Sequence, residues 1–184
     1  MHVIPPIKTK NSQIFLRNSE KSSNFAGFFV RNMAKNVEIE RKFLVRDESY
    51  KALAVGKYEI MQGYICREPG KTVRVRIRDN KAFLTIKSSK MYAGIARFEW
   101  EREIDVEDAR QLMEIARPAV LEKTRWLIPE ANGLMWEIDE FHGQQAGLVM
   151  AEIELESEDQ TFEKPAFIGE EVTGNPKYYN ANMV

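Results

Sequence analysis

The sequence predicts a mainly β chain, an antiparallel sheet or barrel with a few helices, and three observations predict it. From Val37 to Glu156, charged and apolar residues alternate with period two in segment after segment, as strands require. Turn signals separate most of these segments: EPGK at Glu68–Lys71, RDNK at Arg78–Lys81 and PEANG at Pro129–Gly133. Helical spacing is confined to two stretches, with a third short one expected in the tail after Gln160.

Val37–Val45 (VEIERKFLV) is the first strand, with Val37, Ile39, Phe43 and Val45 on one face and Glu38, Glu40 and Lys42 on the other. Asp47 is placed to cap a helix over residues 47–55. YEIMQGYI, residues 58–65, is a strand of mixed pattern in which Gly63 is expected to mark a bulge. TVRVRIR sets Arg74, Arg76 and Arg78 against Val73, Val75 and Ile77. FLTIK sets Phe83, Thr85 and Lys87 against Leu84 and Ile86, and RFEWERE sets Arg97, Glu99, Glu101 and Glu103 against Phe98 and Trp100. DVEDARQLMEIAR is the stronger helix. Asp105 caps it, Val106, Ala109, Leu112, Met113 and Ala116 form its apolar stripe, and Pro118 stops it. EKTRWLI opposes Lys123 and Arg125 to Thr124 and Trp126. WEIDE opposes Glu137 and Asp139 to Trp136 and Ile138, and AEIELE opposes Glu152, Glu154 and Glu156 to Ile153 and Leu155. Eight strands follow, closely spaced, which suits an antiparallel sheet or barrel.

Bulk properties bound the function. A length of 184 residues suggests one domain, two at most, and 43% hydrophobic residues suffice for a real core. A net charge of −1 gives no overall attraction to nucleic acid or an anionic membrane. The single cysteine, Cys66, excludes an internal disulfide and fits a reducing compartment, so a cytoplasmic location is expected. With only His2 and His142, a His- or Cys-rich zinc site is implausible, and any metal falls to carboxylates, which favours Mg²⁺ or Mn²⁺. No apolar run approaches transmembrane length.

Residues 1–36 differ from the rest. They hold six basic residues and one acid, Glu20, which leaves 21 basic against 27 acidic residues downstream. They are rich in Ser and Asn and show no periodicity, so they are expected to be a disordered or non-native extension, with residues 37–184 as the domain. Met33, followed by Ala34, Lys35, Asn36 and the first strand, is the alternative start. A transit peptide is the reading set aside.

Two arrangements suit the strands. In one, the apolar face packs on a partner layer and the charged face meets bulk water. In the other, the charged faces line a bore, and Trp100, Trp126 and Trp136 lie outside under the helices. Desolvating an ion costs several kcal/mol even after relaxation, so a bore of this kind must hold its charges paired or neutralised by a ligand. The pattern alone leaves both open.

The charge is segregated by strand. Arg74, Arg76, Lys87, Lys123 and Arg125 suit a polyphosphate. Glu38, Glu40, Glu152 and Glu154 suit hard divalent cations. A metal-bound polyphosphate needs both sets, although either alone reads as solvated charge. GKT at Gly70–Thr72 is not a P-loop: the earlier glycine is missing, Ile65 standing in its place, and a strand follows.

EIERKF carries the spacing ExExK as Glu38, Glu40 and Lys42, and RVRI, LTIK, EWERE, KTR, WEID and AEIELE follow in order, before VTGNPKYYN in the tail. This series resembles the CYTH superfamily, the triphosphate tunnel metalloenzymes, and its small bacterial inorganic triphosphatase-like members in particular. The resemblance spans Val37 to about Asn180. It implies a closed eight-stranded antiparallel tunnel, with a charged interior that binds a triphosphate-containing small molecule with Mg²⁺ or Mn²⁺. Glu38, Glu40 and Glu154 would hold the metal, with Glu152 nearby. Lys42, Arg74, Arg76, Lys87, Arg97, Lys123 and Arg125 would grip the phosphates. Glu99, Glu101, Glu137 and Asp139 would orient these cations or hold a second metal. The catalytic set expected is Glu38, Glu40, Lys42, Glu99, Glu101 and Asp139. Nucleic acid and membranes are not expected as partners, and a homodimer is left open.

Hydrolysis of a triphosphate, inorganic or organic, is the activity expected. The alternatives are a class IV adenylyl cyclase, which needs a base-stacking group such as Tyr64, Phe98 or Trp100 at one mouth, and a module that binds polyphosphate without turnover. Four carboxylates exceed what pure anion binding needs. Cys66 and His142 have no assigned role.

Overall fold

The structure, a computed structural model, describes residues 36–88 and 95–184. The expectation for residues 1–35 lies outside the described residues. Nine strands appear among them: β1 (Val37–Val45), β2 (Gly56–Glu68), β3 (Lys71–Arg78), β4 (Lys81–Ser88), β5 (Ala96–Ile104), β6 (Val120–Pro129), β7 (Met135–Phe141), β8 (Val149–Glu154) and β9 (Ile168–Glu171). Their order is β5-β4-β3-β2-β6-β7-β8-β1, all antiparallel, and β1 returns to β5 through Val37↔Phe98, Glu38↔Arg97 and Ile39↔Ala96. This pairing closes an eight-stranded barrel and covers the first three residues of the β5 edge, Ala96–Phe98. Farther along, β1 pairs with β9 through Phe43↔Glu171 and Val45↔Ile168.

The apolar faces point outward and two layers cover them. On the β2–β4 side lies α2 (Val106–Ala116). The Asp105 carboxylate caps it by accepting from the Glu107 N–H at 2.8 Å. Its Ala109 and Met113 pack with Val75 and Ala82. Gly63 lets the helix sit this close. A Cβ there would stand 2.7 Å from both the Ala116 Cβ and the Met113 Sδ. The bulge expected at Gly63 falls just after it, between Tyr64 and Cys66.

On the opposite side, Phe43, Ile128, Trp136, Ile138, Ala151 and Ile153 of β1, β6, β7 and β8 form a second core with Tyr50, Phe167 and Ile168. Trp136 is fully buried and meets Phe43 and Phe162 edge-on, each at 5.5 Å between centroids. Each large side chain buried here contributes about 1.5–3 kcal/mol. Trp100 is only half-buried. It stands opposite Ile86 on the outer wall, with the Arg102 guanidinium 5.3 Å over its ring.

Two expectations change. The helix after β1 is a single turn, α1 (Tyr50–Leu53), and its cap position is Ser49. The Asp47 carboxylate instead accepts from the Ser49 N–H at 2.9 Å. A segment this short bears the full nucleation cost with almost no propagating bonds to offset it, so it depends on packing, with Tyr50 buried in the core. Beyond Gln160 no α-helix forms among the described residues. Ile168 goes into the core, β9 takes up the edge of β1, and 3₁₀ turns follow at Pro176–Tyr178 and Asn180–Asn182. Pro165 and Pro176 flank this stretch and oppose a continuous helix.

Candidate active site

Residues in register across an antiparallel ladder share a face, so the pairings define what lines the bore. Glu40 and Lys42 stand opposite Glu154 and Glu152, Arg125 opposite Asp139, Arg74 opposite Thr85, Thr85 opposite Glu101, Lys87 opposite Glu99, and Arg97 opposite Glu38. Glu137, Arg76 and Lys123 follow by alternation along their strands. Asp139 is 0% exposed, Lys123 1% and Glu38 3%, which decides between the two arrangements: the charged faces are inside. The expected set assembles as seven cations and eight carboxylates around one axis. Glu154 is its exposed member, at a mouth beside Glu40.

Three groups of ion pairs cross the bore, the first two linked through Glu40. In the first, Lys87 donates to Glu38 at 2.7 and 2.9 Å and lies 2.9 Å from Glu99, while Arg97 donates to Glu38 at 2.5 Å and to Glu40. In the second, Lys42 donates to Glu152 and sits 3.2 Å from Glu40. Arg125 joins this network, grasping Asp139 with two bonds of 2.7 and 2.6 Å and reaching Glu152 at 2.7 Å and Glu137. Lys123 also donates to Asp139. In the third, Glu101 accepts from Arg76 at 2.9 and 3.1 Å, from Arg74 at 3.3 Å and from the Thr85 hydroxyl at 2.7 Å.

These partners offset desolvation. Burial raises the Glu38 carboxyl, but the Lys87 and Arg97 charges overcome it and hold it well below the usual carboxylate range. Burial likewise raises Glu152, and Lys42, Arg125 and Lys123 pull it well below that range. Glu99 goes the other way, raised by burial and, against the pull of Lys87, by the neighbouring Glu38 charge. Burial and the adjacent Arg74 push the Arg76 guanidinium down to about 10, so two crowded guanidiniums share Glu101 on the β3 wall.

Two lining residues had no role assigned from the sequence, although alternation put Thr85 on the face of Lys87. Thr85 is fully buried, and besides donating to Glu101 it accepts from Arg74 at 3.0 Å. Gln62 is 0% exposed and donates through Nε2 to the Tyr64 hydroxyl at 2.9 Å. Alternation along β2 puts Ile60, Gln62 and Tyr64 on one face, but an inward row without charge hid this signal. Tyr64 faces the bore, whereas Phe98 and Trp100 face outward and do not line it. His142 bonds Thr124 on the outer wall at 2.8 Å.

The lining fits a divalent cation by chemistry more than by arrangement. Its carboxylates are hard oxygen donors. Its charges nearly balance, so a polyanion can be added only with cations of its own. Yet among the described residues no three His, Cys, Asp or Glu side chains stand grouped as a cage. Glu38, Glu40 and Glu152 are interleaved with Arg97, Lys42 and Arg125, and must exchange those partners to hold an ion.

Comparison with known proteins agrees with this geometry. The CYTH domain profile matches residues 36–181. An inorganic triphosphatase from Acetivibrio thermocellus is 46% identical over 148 residues, covering 80% of this chain and 92% of that one. An inorganic triphosphatase from Nitrosomonas europaea is 35% identical over 147 residues, covering 78% and 93%. A crystal structure of an inorganic triphosphatase superposes with a TM-score of 0.57 at 32% identity, over 79% of this chain and 93% of that one. With the profile spanning most of the chain and these relatives aligned over nearly their whole length, the chain belongs to the CYTH domain family.

Proposed function

We propose that this chain hydrolyses a triphosphate, with Mg²⁺ or Mn²⁺, inside the barrel. One observation carries the reading: seven cations and their carboxylate partners converge on one buried axis, in networks a metal-bound polyanion can enter by exchange. Lys42, Arg74, Arg76, Lys87, Arg97, Lys123 and Arg125 turn from carboxylates to phosphate oxygens. Glu38, Glu40, Glu152 and Glu154, so released, hold the metal. When bound, the metal polarises the terminal phosphoryl group and lowers the pKa of coordinated water. Glu101 holds Arg74 and Arg76, Glu99 holds Lys87, and Asp139 holds Lys123 and Arg125, so the cations are aligned before charge develops. Water bonds to the terminal phosphorus, its proton passes to an oxygen of the phosphate being released, the bridging P–O bond breaks, and the electron pair leaves on a diphosphate steadied by the guanidiniums.

The names of the relatives favour inorganic triphosphate as the substrate. Purified protein is incubated with inorganic triphosphate, ATP and thiamine triphosphate, each with Mg²⁺ or Mn²⁺. Phosphate release is expected and is lost in Glu38→Gln and Glu40→Gln. Cyclic AMP from ATP would instead mark a cyclase, and binding without products a carrier of polyphosphate.

A further inference from the structure

We infer that the side-chain amide of Gln62 is a phosphate ligand, an uncharged N–H donor on the β2 wall of the bore, oriented by Tyr64. The inference rests on the triphosphatase reading and adds a residue outside the charged set.

Gln62 stands opposite Arg76 on β3, and two residues on Tyr64 stands opposite Arg74. This small patch of wall carries three buried polar atoms with no partner: the Gln62 Oε1, the Arg74 Nε and the Arg76 Nε. Buried polar atoms are almost always paired, so three on adjacent residues call for something the chain does not supply. Two of them are N–H donors, and what they lack is an acceptor. An oxyanion placed there would face the amide oxygen and be repelled by it.

The amide resolves this conflict by a half-turn. Its oxygen and nitrogen are nearly isosteric, and only the hydrogen-bond network assigns them. The Tyr64 hydroxyl accepts from Nε2 at 2.9 Å, and as a phenol it can equally donate. After the turn Tyr64 donates to Oε1, and an amide N–H stands with the two guanidinium Nε–H groups as a donor on the same stretch of wall. No bond to Tyr64 is lost.

A neutral donor suits this place. Arg74 and Arg76 already crowd each other around Glu101, so a third cation would add repulsion, and a carboxylate would repel the substrate.

The test uses the full chain and inorganic triphosphate. Gln62→Met removes the donor at similar volume, and Gln62→Glu replaces it with an acceptor of the substrate's sign. Affinity by calorimetry for a methylene-bridged, non-hydrolysable analogue of triphosphate, with Mg²⁺ present, is expected to fall about fivefold to tenfold in the first and at least thirtyfold in the second, with melting temperatures within a few degrees of the wild type. KM rises in step and kcat moves less. In ¹⁵N,¹³C-labelled wild-type protein, the Gln62 side-chain amide signal, assigned by its through-bond connection to the Gln62 backbone, is expected to shift on adding triphosphate, which decides the matter even where a variant does not fold. A Gln62→Glu protein that binds within threefold of the wild type, or an amide signal that triphosphate leaves in place, overturns the inference while leaving the triphosphatase reading intact. A wild-type protein that binds triphosphate but releases no phosphate overturns that reading instead.

Discussion

The Lys42 ammonium donates to the Glu152 carboxylate across the β1–β8 ladder, where the two residues stand in register. The same ammonium lies 3.2 Å from Glu40, and all three side chains are buried. Lys42→Met therefore leaves two carboxylates short of a cation. Glu152 keeps Arg125 and Glu40 keeps Arg97, so the loss is smaller than for a pair stripped of every partner. A destabilisation of about 1–3 kcal/mol at pH 7 is expected by chemical denaturation. Turnover of triphosphate is expected to fall about 100-fold, the scale of one lost charge-stabilising donor. Unchanged stability with unchanged turnover would remove Lys42 from both roles.

Lys123 gives a pH-dependent prediction. Burial, reinforced by the Arg125 charge, pushes its ammonium down to about 8 despite the bond to Asp139. In the unfolded chain a lysine titrates at about 10.4. Between those values the unfolded state holds a proton the folded state has released, so this residue's contribution to stability rises with pH across that window. Below about 8 the burial penalty is present in full. Lys123→Met removes the slope, and Asp139 keeps its two bonds from Arg125. Unfolding free energies at about pH 7, 8.5 and 10 are expected to show the wild type gaining on the variant as pH rises. Parallel curves would show that the ammonium titrates normally.

The sequence carried the charged rows because alternation is local: Glu38, Glu40 and Lys42 share a face wherever the strand goes. The α2 cap at Asp105 was legible for the same reason. What alternation cannot carry is partnership. That Arg97 reaches both Glu38 and Glu40 follows from β5 closing on β1, a contact between segments about 60 residues apart. Strand β9 escaped notice because four residues, Ile168–Glu171, are too few to show a period and exist as a strand only against β1. Gln62 escaped because burial of a neutral side chain among ions leaves no mark in composition.

Strand β9 is held to β1 by a side-chain clamp as well as by its backbone. Arg41 donates to both oxygens of Glu171, at 2.5 and 2.6 Å. The Val172 N–H donates to the Lys42 carbonyl at 2.8 Å, and the Lys42 N–H to the Thr173 hydroxyl at 2.9 Å. The Arg41 bond holds the Glu171 carboxyl below its usual range. The clamp therefore stabilises above the unfolded carboxyl pKa and is lost as pH falls through the lower folded value. Glu171→Gln is expected to cost about 0.5–1 kcal/mol, the scale of a partly exposed pair. Faster amide exchange at Val172 and Lys42 is the measurement, with exchange on α2 unchanged. Equal speeding of both regions would mean global rather than local loosening.

Gly63 tests how the outer layer fixes the bore. It precedes Tyr64 on β2, and its missing side chain is what lets Met113 and Ala116 of α2 rest on the strand. Gly63→Ala puts a methyl 2.7 Å from both, and no rotation of a methyl relieves that. The helix must lift or β2 must move inward, and overpacking of this kind costs about 1–3 kcal/mol. Met113→Ala withdraws one of the two obstacles but leaves the Ala116 Cβ, so it should recover only part of the loss. The double variant is expected to be more stable than the sum of the two single losses predicts, because the residues are in contact. If strict additivity were found in denaturation, the strand would have taken up the strain. Tyr64 would then shift with it, and triphosphate affinity should fall even though Gly63 touches no substrate.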